Sequence, residues 1–428
     1  MLGHLMLGLA AASAVSANPE TPDAVAQILA SPRFEQAQVA LRKDHDRLVA
    51  EIIRLTEIPS PTFGEAERAK AYAEMMRTSG IADVGLDAIG NVVGIRRGRD
   101  PALPPLIVAA HLDTVFPDGT PVRVTREGSL LKAPGIGDDA RGLAALLALS
   151  RAMNASGIVT DRDIYFVGTV GEEGRGNLRG VRHLFDSDPR ARTASGFITF
   201  DLNGSDRIVT RHVGSRRYRI IFSGPGGHSF DRFGIVNPVV PLARTVTALY
   251  AMTVPPDPRT TYSASVISGG TSINTIPATA AVDIDIRSLA PKEIDRIDAG
   301  VRLAAQTAAR EENAARSVAY GSISVRFEEI GERPAGVIDE RSGLGAIAFA
   351  AGRAFGARPR FDAVSTDANL PVSLGIPAIA IGTGGRGGGE HSLEEFIDVE
   401  IEESLRGLNA GLVTVIAAAS KGGGAPVR

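Results

Sequence analysis

The sequence predicts an α/β fold in which a mainly parallel sheet is layered by helices and interrupted by a smaller, inserted α+β domain. Three observations predict this fold. Short apolar runs bounded by turn residues are typical of strands that are buried on both faces of a sheet. Helical patterns alternate with these runs along the chain. Between about residues 215 and 330 the pattern changes to alternating polar and apolar positions, which indicates a separate unit.

Four apolar runs predict the buried strands of the main sheet. They lie at residues 106–110, 164–170, 197–200 and 378–381. Helices are predicted before, among and after them, at residues 66–79, 140–153 and 401–419. Since parallel strands need long crossover connections that usually contain a helix, this order favours a parallel sheet.

The inserted domain is predicted from an ordered set of elements in the middle of the chain. Strands at 217–223, 263–267, 281–287 and 322–328 accompany helices at 239–252 and 291–314. The order β-α-β-β-α-β is the ferredoxin-like arrangement. We therefore predict one α/β domain built from residues 33–213 and 331–420, with the inserted domain at 214–330.

Composition narrows the classes of function. The 428 residues carry 46 Lys and Arg against 49 Asp and Glu, a formal net charge of -3, so no basic footprint for nucleic acid is present. No apolar run after residue 17 has membrane-spanning length. The absence of cysteine excludes a thiol nucleophile, a disulfide framework and any cluster held by cysteine. A metal site in this chain would have to use histidine and carboxylate ligands.

The two termini also carry signals. Residues 1–17 form an apolar stretch that ends in Val15-Ser16-Ala17, a small-residue cleavage pattern, although no Lys or Arg precedes it. We predict a cleaved export signal and a periplasmic or secreted location. The alternative is an ordinary hydrophobic N-terminus or a mis-set start codon, which would leave the protein in the cytoplasm. Residues 422–428 are predicted to be disordered.

Acidic residues and histidines follow the predicted parallel strands. They are His111, Asp113, Glu172, Glu173, Asp201, Glu390 and His391, with Asp138 and Asp139 in a loop between the first two strands. Because ligands bind beyond the carboxyl ends of strands in open α/β sheets, we expect these side chains to converge. So many carboxylates would repel one another unless cations lay between them. Histidine with carboxylate suits zinc, with cobalt or manganese as less distinctive alternatives.

These residues resemble the motifs of the M20 family of zinc metallopeptidases, which includes peptidase T, the glutamate carboxypeptidases and the acetylornithine deacetylases. The motifs are AHLDTV at 110–115, GDDARG at 137–142, GEEG at 171–174, Asp201 and EHS at 390–392. The resemblance runs from about residue 50 to 415. It implies the α/β fold of the di-zinc exopeptidases, with the inserted domain acting as a lid and dimerisation domain.

Carried over residue by residue, the resemblance implies two zinc ions bridged by Asp138. His111 and Asp201 would hold one ion, and Glu173 and His391 would hold the other. This ligand set of two imidazoles and three carboxylates is compatible with a chain that lacks cysteine.

The spacing of the GDDARG motif alone leaves Asp138 and Asp139 as alternatives for the bridging residue. Alignment on Gly142 selects Asp138. The family pattern has a basic residue where Ala140 lies, and Arg141 is one position later, so the role of the basic residue stays open.

The resemblance also implies roles for the acidic residues beside the ligands. Glu172 would be the general base, taking a proton from water and passing it to the leaving amine. Asp113 would accept the second imidazole N–H of His111 and fix the tautomer of the ring.

Three residues of the inserted domain match lid positions of the family. His228, in the motif GPGGHS at 224–229, would stabilise the oxyanion of the substrate, typically in the active site of a partner subunit. Asn274 and Arg287 would hold substrate, and Arg287 would face a terminal carboxylate. The loop at 365–369 resembles a segment that contacts substrate. These resemblances predict a homodimer formed through the lid.

We therefore predict a di-zinc metallo-exopeptidase that hydrolyses amide bonds of short peptides with metal-activated water. A deacylase of small N-acyl amino acids is the alternative, because only pocket contacts distinguish the two reactions. A non-catalytic binding protein with this fold would be marked by loss of a ligand or of Glu172, and none is lost. A serine hydrolase is disfavoured because its Gly-x-Ser-x-Gly elbow is missing.

Overall fold

The computed structural model describes residues 21–421. The predicted export signal at 1–17 and the predicted disordered tail at 422–428 lie outside the described residues, so both stay predictions. Across residues 21–421, none of the helices combines the length and the apolar character needed to cross a membrane.

The helices of the described residues are α1 (Thr21–Leu29), α2 (Pro32–Lys43), α3 (His45–Thr56), α4 (Ala66–Thr78), α5 (Arg141–Ala155), α6 (Arg179–Ser187), α7 (Val239–Tyr250), α8 (Pro291–Ala315), α9 (Gly343–Ala354), α10 (Asn369–Ser373) and α11 (Ile401–Ala418). Short turns lie at Ile136–Ala140, Gly174–Gly176 and Ala191–Thr193. The strands are β1 (Ala82–Leu86), β2 (Val92–Arg96), β3 (Leu106–His111), β4 (Thr125–Glu127), β5 (Leu130–Lys132), β6 (Ile164–Thr169), β7 (Gly196–Leu202), β8 (Arg207–His212), β9 (Gly214–Ser223), β10 (Gly227–His228), β11 (Thr260–Gly269), β12 (Thr275–Ile276), β13 (Thr279–Ser288), β14 (Ser324–Arg333), β15 (Gly336–Val337), β16 (Arg360–Val364), β17 (Ala378–Gly382), β18 (Arg386–Gly388) and β19 (Phe396–Asp398).

The main sheet has the strand order β1-β2-β6-β3-β7-β17-β8-β15, and β16 also pairs with β8. Its four central strands, β6, β3, β7 and β17, are mutually parallel, and they correspond to the four predicted apolar runs. The predicted α/β class is confirmed. The sheet as a whole is mixed, because β1, β2, β8 and β15 join by antiparallel pairing. These outer strands are partly exposed, so their sequences lack the continuous apolar runs that marked the centre.

Two separate cores cover the two faces of the central strands. Leu106, Val108 and Ala110 of β3 enter the larger core with α5, whereas Ile107 and Ala109 enter the smaller core with α6. Full burial of an aliphatic side chain of the size of Val, Leu or Ile stabilises the folded state by roughly 1.5–3 kcal/mol relative to leaving it exposed. Because both faces are covered, every position of the strand must be apolar, which explains the unbroken runs in the sequence.

The middle of the chain forms a second, antiparallel sheet in the order β11-β13-β9-β14, with α7 and α8 on one face. The element order is β-α-β-β-α-β, as expected for a ferredoxin-like unit. Val282, Ile284 and Ile286 of β13 are buried in its core. The division of the chain at 33–213, 214–330 and 331–420 stays a prediction, and β14 extends to Arg333, past the predicted end of the insertion.

His212 is buried where β8 meets β17. Its Nε2 lies 3.1 Å from the carbonyl oxygen of Ala378, and its Nδ1 has no partner among the described residues. Burial lowers the pKa of His212 to about 4, so the folded protein holds the ring neutral at pH values where an unfolded chain would protonate it.

We expect His212 to make the free energy of unfolding fall as the pH decreases from about 6.5 to 4, because only the unfolded chain binds the proton there. The loss should reach roughly 3 kcal/mol. Chemical denaturation at about pH 7 and pH 4.5 should show a smaller decrease for His212→Gln than for the wild type. Equal decreases in the two proteins would contradict this role.

Candidate metal centre

The carboxyl ends of the central strands bring the predicted metal ligands to one edge of the main sheet. His111 is the last residue of β3, Asp201 lies near the end of β7, and Glu173 follows β6. Asp138 comes from the turn that precedes α5, and His391 comes from the loop after β18. Residues far apart in sequence therefore meet because the parallel strands all end at this edge.

Asp138 lies between the two histidines. Its Oδ1 is 2.7 Å from Nε2 of His111, and its Oδ2 is 3.1 Å from Nε2 of His391. Nε2 of His111 is also 3.6 Å from Oδ1 of Asp201, and Nε2 of His391 is 3.0 Å from Oε1 of Glu173. The five side chains thus form two sets, one with His111 and one with His391, that share a single carboxylate.

Asp139 is close to the same cluster but is engaged elsewhere. Three potential ligand atoms lie within 4.8 Å of one another, one each from His111, Asp139 and Asp201. However, Oδ2 of Asp139 accepts the backbone N–H of His111 at 2.9 Å, and Oδ1 accepts that of Gly142 at 3.1 Å. Both oxygens already hold the backbone, so the geometry favours Asp138 as the shared residue.

The crowded carboxylates hold positive charge on the histidines. Hydrogen bonds to Asp138 and Glu173 raise the pKa of His391 to about 10. Burial, together with repulsion from Asp138 and Glu173, raises the pKa of Asp201 to about 6. Divalent cations would supply the missing positive charge and release protons from the imidazoles. Since two imidazoles and three carboxylates are a donor set that suits zinc, the residues present fit a pair of divalent ions.

Asp113 is fully buried beneath the centre and contacts the backbone around the acidic pair. Its carboxylate accepts the N–H of Glu172 at 2.9 Å and that of Glu173 at 3.0 Å. The structure differs here from the expectation for the His111 ring. Nδ1 of His111 lies 3.0 Å from the carbonyl oxygen of Asp113 but 3.7 Å from its carboxylate. The carbonyl is the nearer acceptor because the carboxylate is already used to hold the 172–173 turn.

Arg333 is a buried residue of the site that sequence reasoning missed. Its Nη1 donates to Oε1 of Glu172 at 2.8 Å and to Oγ of Ser365 at 3.1 Å. Burial raises the pKa of Glu172 well above its usual range, and the charge of Arg333 opposes that rise. No motif marks Arg333, because it meets Glu172 only through the packing of β14 against the main domain.

Glu395 is the second residue that was missed. Its carboxylate accepts the backbone N–H groups of Gly135, Gly137 and Asp138 at 2.7, 2.8 and 3.0 Å. Burial raises the pKa of Glu395 to about 7. These three bonds fix the turn that presents Asp138. An acidic residue four positions after His391 was the available sequence signal.

Arg141, whose role was left open, lies away from the predicted ligands. Its guanidinium donates to Oγ of Ser404 at 3.2 Å and approaches the carbonyl oxygen of Asp398 at 3.4 Å. Burial lowers the pKa of Arg141 to about 10. The side chain therefore supports the chain segments around β19 and α11.

The residues predicted to belong to a lid divide into two groups. Arg287 lines a cavity of about 510 Å³ together with Asp138, Glu172 and other residues of the centre. His228 and Asn274 lie close together, because His228 pairs with Thr275 across the short β10–β12 ladder. Neither lines that cavity, and the His228 side chain is 49% exposed. Within one chain, the structure does not bring these two residues to the predicted ligands.

Comparison with known proteins identifies the family. The sequence profile described as Peptidase family M20/M25/M40 matches residues 107–416, which contain every predicted ligand. The chain belongs to this family. The family prediction is therefore confirmed. Homologues of this M20 protein are hydrolases that act on peptide and amide bonds.

Solved structures share the fold of this M20 protein. The aminopeptidase PepT of Bacillus cereus has a TM-score of 0.69 at 22% identity, covering 87% of this chain and 99% of that chain. The YXEP protein of Bacillus subtilis, a dinuclear metal-binding M20 peptidase, has a TM-score of 0.62 at 18% identity, covering 87% and 98%.

Two sequence matches to curated relatives are local. This M20 protein is 36% identical over 121 residues to a Thermococcus kodakarensis protein named for LysW-lysine/LysW-ornithine hydrolase activity, covering 28% of this chain and 31% of that protein. It is 30% identical over 123 residues to an N-carbamoyl-L-amino-acid amidohydrolase of Paenarthrobacter aurescens, covering 29% and 25%. The matches span less than a third of these relatives.

Proposed function

We propose that this M20 protein is a di-zinc exopeptidase that hydrolyses amide bonds of short peptides. The observation that carries the proposal is the Asp138 carboxylate shared between His111 with Asp201 and His391 with Glu173. The adjoining cavity of about 510 Å³ is within the usual size range of small-molecule sites. The structural likeness to PepT and to a dinuclear metal-binding peptidase supports the same choice.

The five predicted ligands would hold two zinc ions, with cobalt or manganese as alternatives. When bound, the metals would polarise the scissile carbonyl and make water acidic enough to act at neutral pH. Glu172 lies in the same cavity with Oε1 held by Arg333. In this position Glu172 can accept a proton from the attacking water and later give it to the leaving amine.

Arg287 would bind the terminal carboxylate of the substrate, because it lines the cavity and a guanidinium pairs with a carboxylate in a bidentate way. His228 would stabilise the oxyanion that develops on the substrate. Since His228 does not line the cavity of its own chain, we propose that it acts in the site of a partner subunit.

The lid offers a surface for such a dimer. β11 is an edge strand of the lid sheet, and its Val266 and Ile267 are exposed. Phe230, Phe233 and Ile273 near His228 are also exposed. An apolar edge strand of this kind is typical of pairing with another chain. We therefore propose a homodimer through the lid.

A deacylase of small N-acyl amino acids is the second candidate. The local match to an N-carbamoyl-L-amino-acid amidohydrolase favours it, and the attack of water on an amide is chemically the same. The two candidates differ only in what lies on the acyl side of the bond.

The proposal is tested by assaying purified, zinc- or cobalt-loaded protein on tripeptides, α- and γ-glutamyl peptides and N-acetyl amino acids. We expect release of a terminal residue from short peptides and about two metal ions per chain by elemental analysis. Preferential hydrolysis of the N-acetyl compounds would favour the deacylase. Failure to hydrolyse any of them at full metal loading would refute both candidates.

Donation of His228 in trans predicts complementation between inactive subunits. His228→Ala and Glu172→Gln proteins should each have low activity, because each lacks one required group. Mixing them under conditions of subunit exchange should restore activity, because a mixed dimer combines an intact Glu172 with the partner subunit's His228. If the exchanged mixture has no more activity than the separate variants, His228 does not act across the dimer.

A further inference from the structure

Two arginines of the lid share a single carboxylate beside the metal centre. Arg217 of β9 lies opposite Asp285 of β13, and its Nε is 3.3 Å from Oδ1 of Asp285. Nε of Arg287 is 2.9 Å from Oδ2 of the same residue. Both guanidinium groups donate from Nε in these contacts, and within residues 21–421 no hydrogen bond is found from their terminal Nη atoms. This trio therefore carries one more positive than negative charge.

The next pair along the same two strands is different. Arg219 lies opposite Asp283, to which it donates from Nε at 2.6 Å and from Nη2 at 2.8 Å. The charges of that pair are balanced, because one cation binds one anion in a bidentate contact. Arg217 and Asp285 lie opposite each other in the same way, but Arg287 also contacts Asp285, so this carboxylate is shared by two arginines.

The two arginines that share Asp285 face the candidate active site. Arg217 and Arg287 both line the cavity that contains Asp138 and Glu172, whereas Arg219 does not. Arg217 is partly buried, and burial together with repulsion from Arg333 and Arg287 lowers its pKa. A partly buried guanidinium among other cations is stabilised when an anion binds beside it.

Building on the proposed peptidase function, we propose that Arg217 and Arg287 form a pocket for a dicarboxylate leaving group. The substrates would be peptides or amides whose released amino acid is aspartate or glutamate. One guanidinium fork would bind the α-carboxylate and the other the side-chain carboxylate, with Asp285 holding the two forks side by side. Arg217 would thus be the residue that selects an acidic side chain.

Paired substrates that differ only in charge test this selection. Metal-loaded wild type, Arg217→Gln and Arg219→Gln are assayed on peptides ending in Glu or Gln, and in Asp or Asn. We expect the wild type to favour the acidic member of each pair at least about 10-fold in kcat/KM, as a lost hydrogen bond between charged groups costs 10- to 100-fold. Arg217→Gln should lose this preference because its kcat/KM falls for the acidic substrates and stays unchanged for the neutral ones. Arg219→Gln should keep it.

A binding measurement separates failure of this proposal from failure of the proposed reaction. Calorimetry on the metal-loaded proteins compares free L-glutamate with L-glutamine, and needs no turnover. Tighter binding of glutamate by the wild type, lost in Arg217→Gln and retained in Arg217→Lys, supports the pocket even if no peptide is cleaved. Equal binding of the two amino acids, or a glutamate preference that survives in Arg217→Gln, overturns it. An equal loss for acidic and neutral ligands would assign Arg217 a structural role and also overturn it.

Discussion

Replacing Glu172 by glutamine is expected to lower kcat by about 10²- to 10⁴-fold while the protein keeps its fold and its metal. Glutamine retains an oxygen that can accept the bond from Arg333 Nη1 and fills the same volume. It cannot take a proton from water at neutral pH. Because Glu172 is outside the shared-carboxylate arrangement around Asp138, the loss should appear in turnover and not in metal content.

The measurement combines steady-state kinetics on the best substrate with elemental analysis and thermal unfolding. Glu394→Gln is a matched control, because Glu394 is an exposed carboxylate in the same loop as His391 and does not line the cavity. That control should stay within about threefold of wild type, since a surface change of this kind removes no buried charge. A Glu172→Gln protein with near-normal kcat would show that another group moves the proton.

The sequence predicted the centre of the fold because burial on both faces leaves a strong trace. The central strands are largely apolar and buried, and β3 ends directly in the polar residue His111. The outer strands were not predicted, because partly exposed strands such as β1 and β16 have mixed compositions. Their pairing is decided by tertiary contacts and not by local pattern.

The predicted ligands converge because they follow strands whose ends must meet, but their supporting residues carry no such signal. Arg333 is 161 positions from Glu172, and only the packing of β14 brings the two together. Likewise, hydrogen bonds decide that the Asp113 carboxylate holds the backbone at 172–173 and not the His111 ring. Sequence spacing predicts which residues lie near the site, but not which partner each one has.

The paired substitutions Asp138→Asn and Asp139→Asn are expected to impair different properties, the first metal binding and the second stability. Asp138→Asn removes the shared negative charge between His111 and His391, so the protein should lose bound metal. Activity should fall at least about a thousandfold, because the metals contribute several kcal/mol to lowering the barrier. Its fold should persist, since within residues 21–421 the Asp138 side chain accepts no backbone N–H.

Asp139→Asn should keep metal but lower the free energy of unfolding by about 1–3 kcal/mol. In the wild type both carboxylate oxygens accept a backbone N–H, whereas in the variant the amide NH2 group must face one of these N–H groups and cannot accept from it. Metal per chain, measured after metal-replete purification, and chemical denaturation distinguish the two variants. The reverse result, with metal lost only in Asp139→Asn, would make Asp139 the bridging residue. The comparison is decisive because the two aspartates are adjacent and receive the same substitution, yet the oxygens of Asp139 bind the backbone and those of Asp138 face the histidine rings.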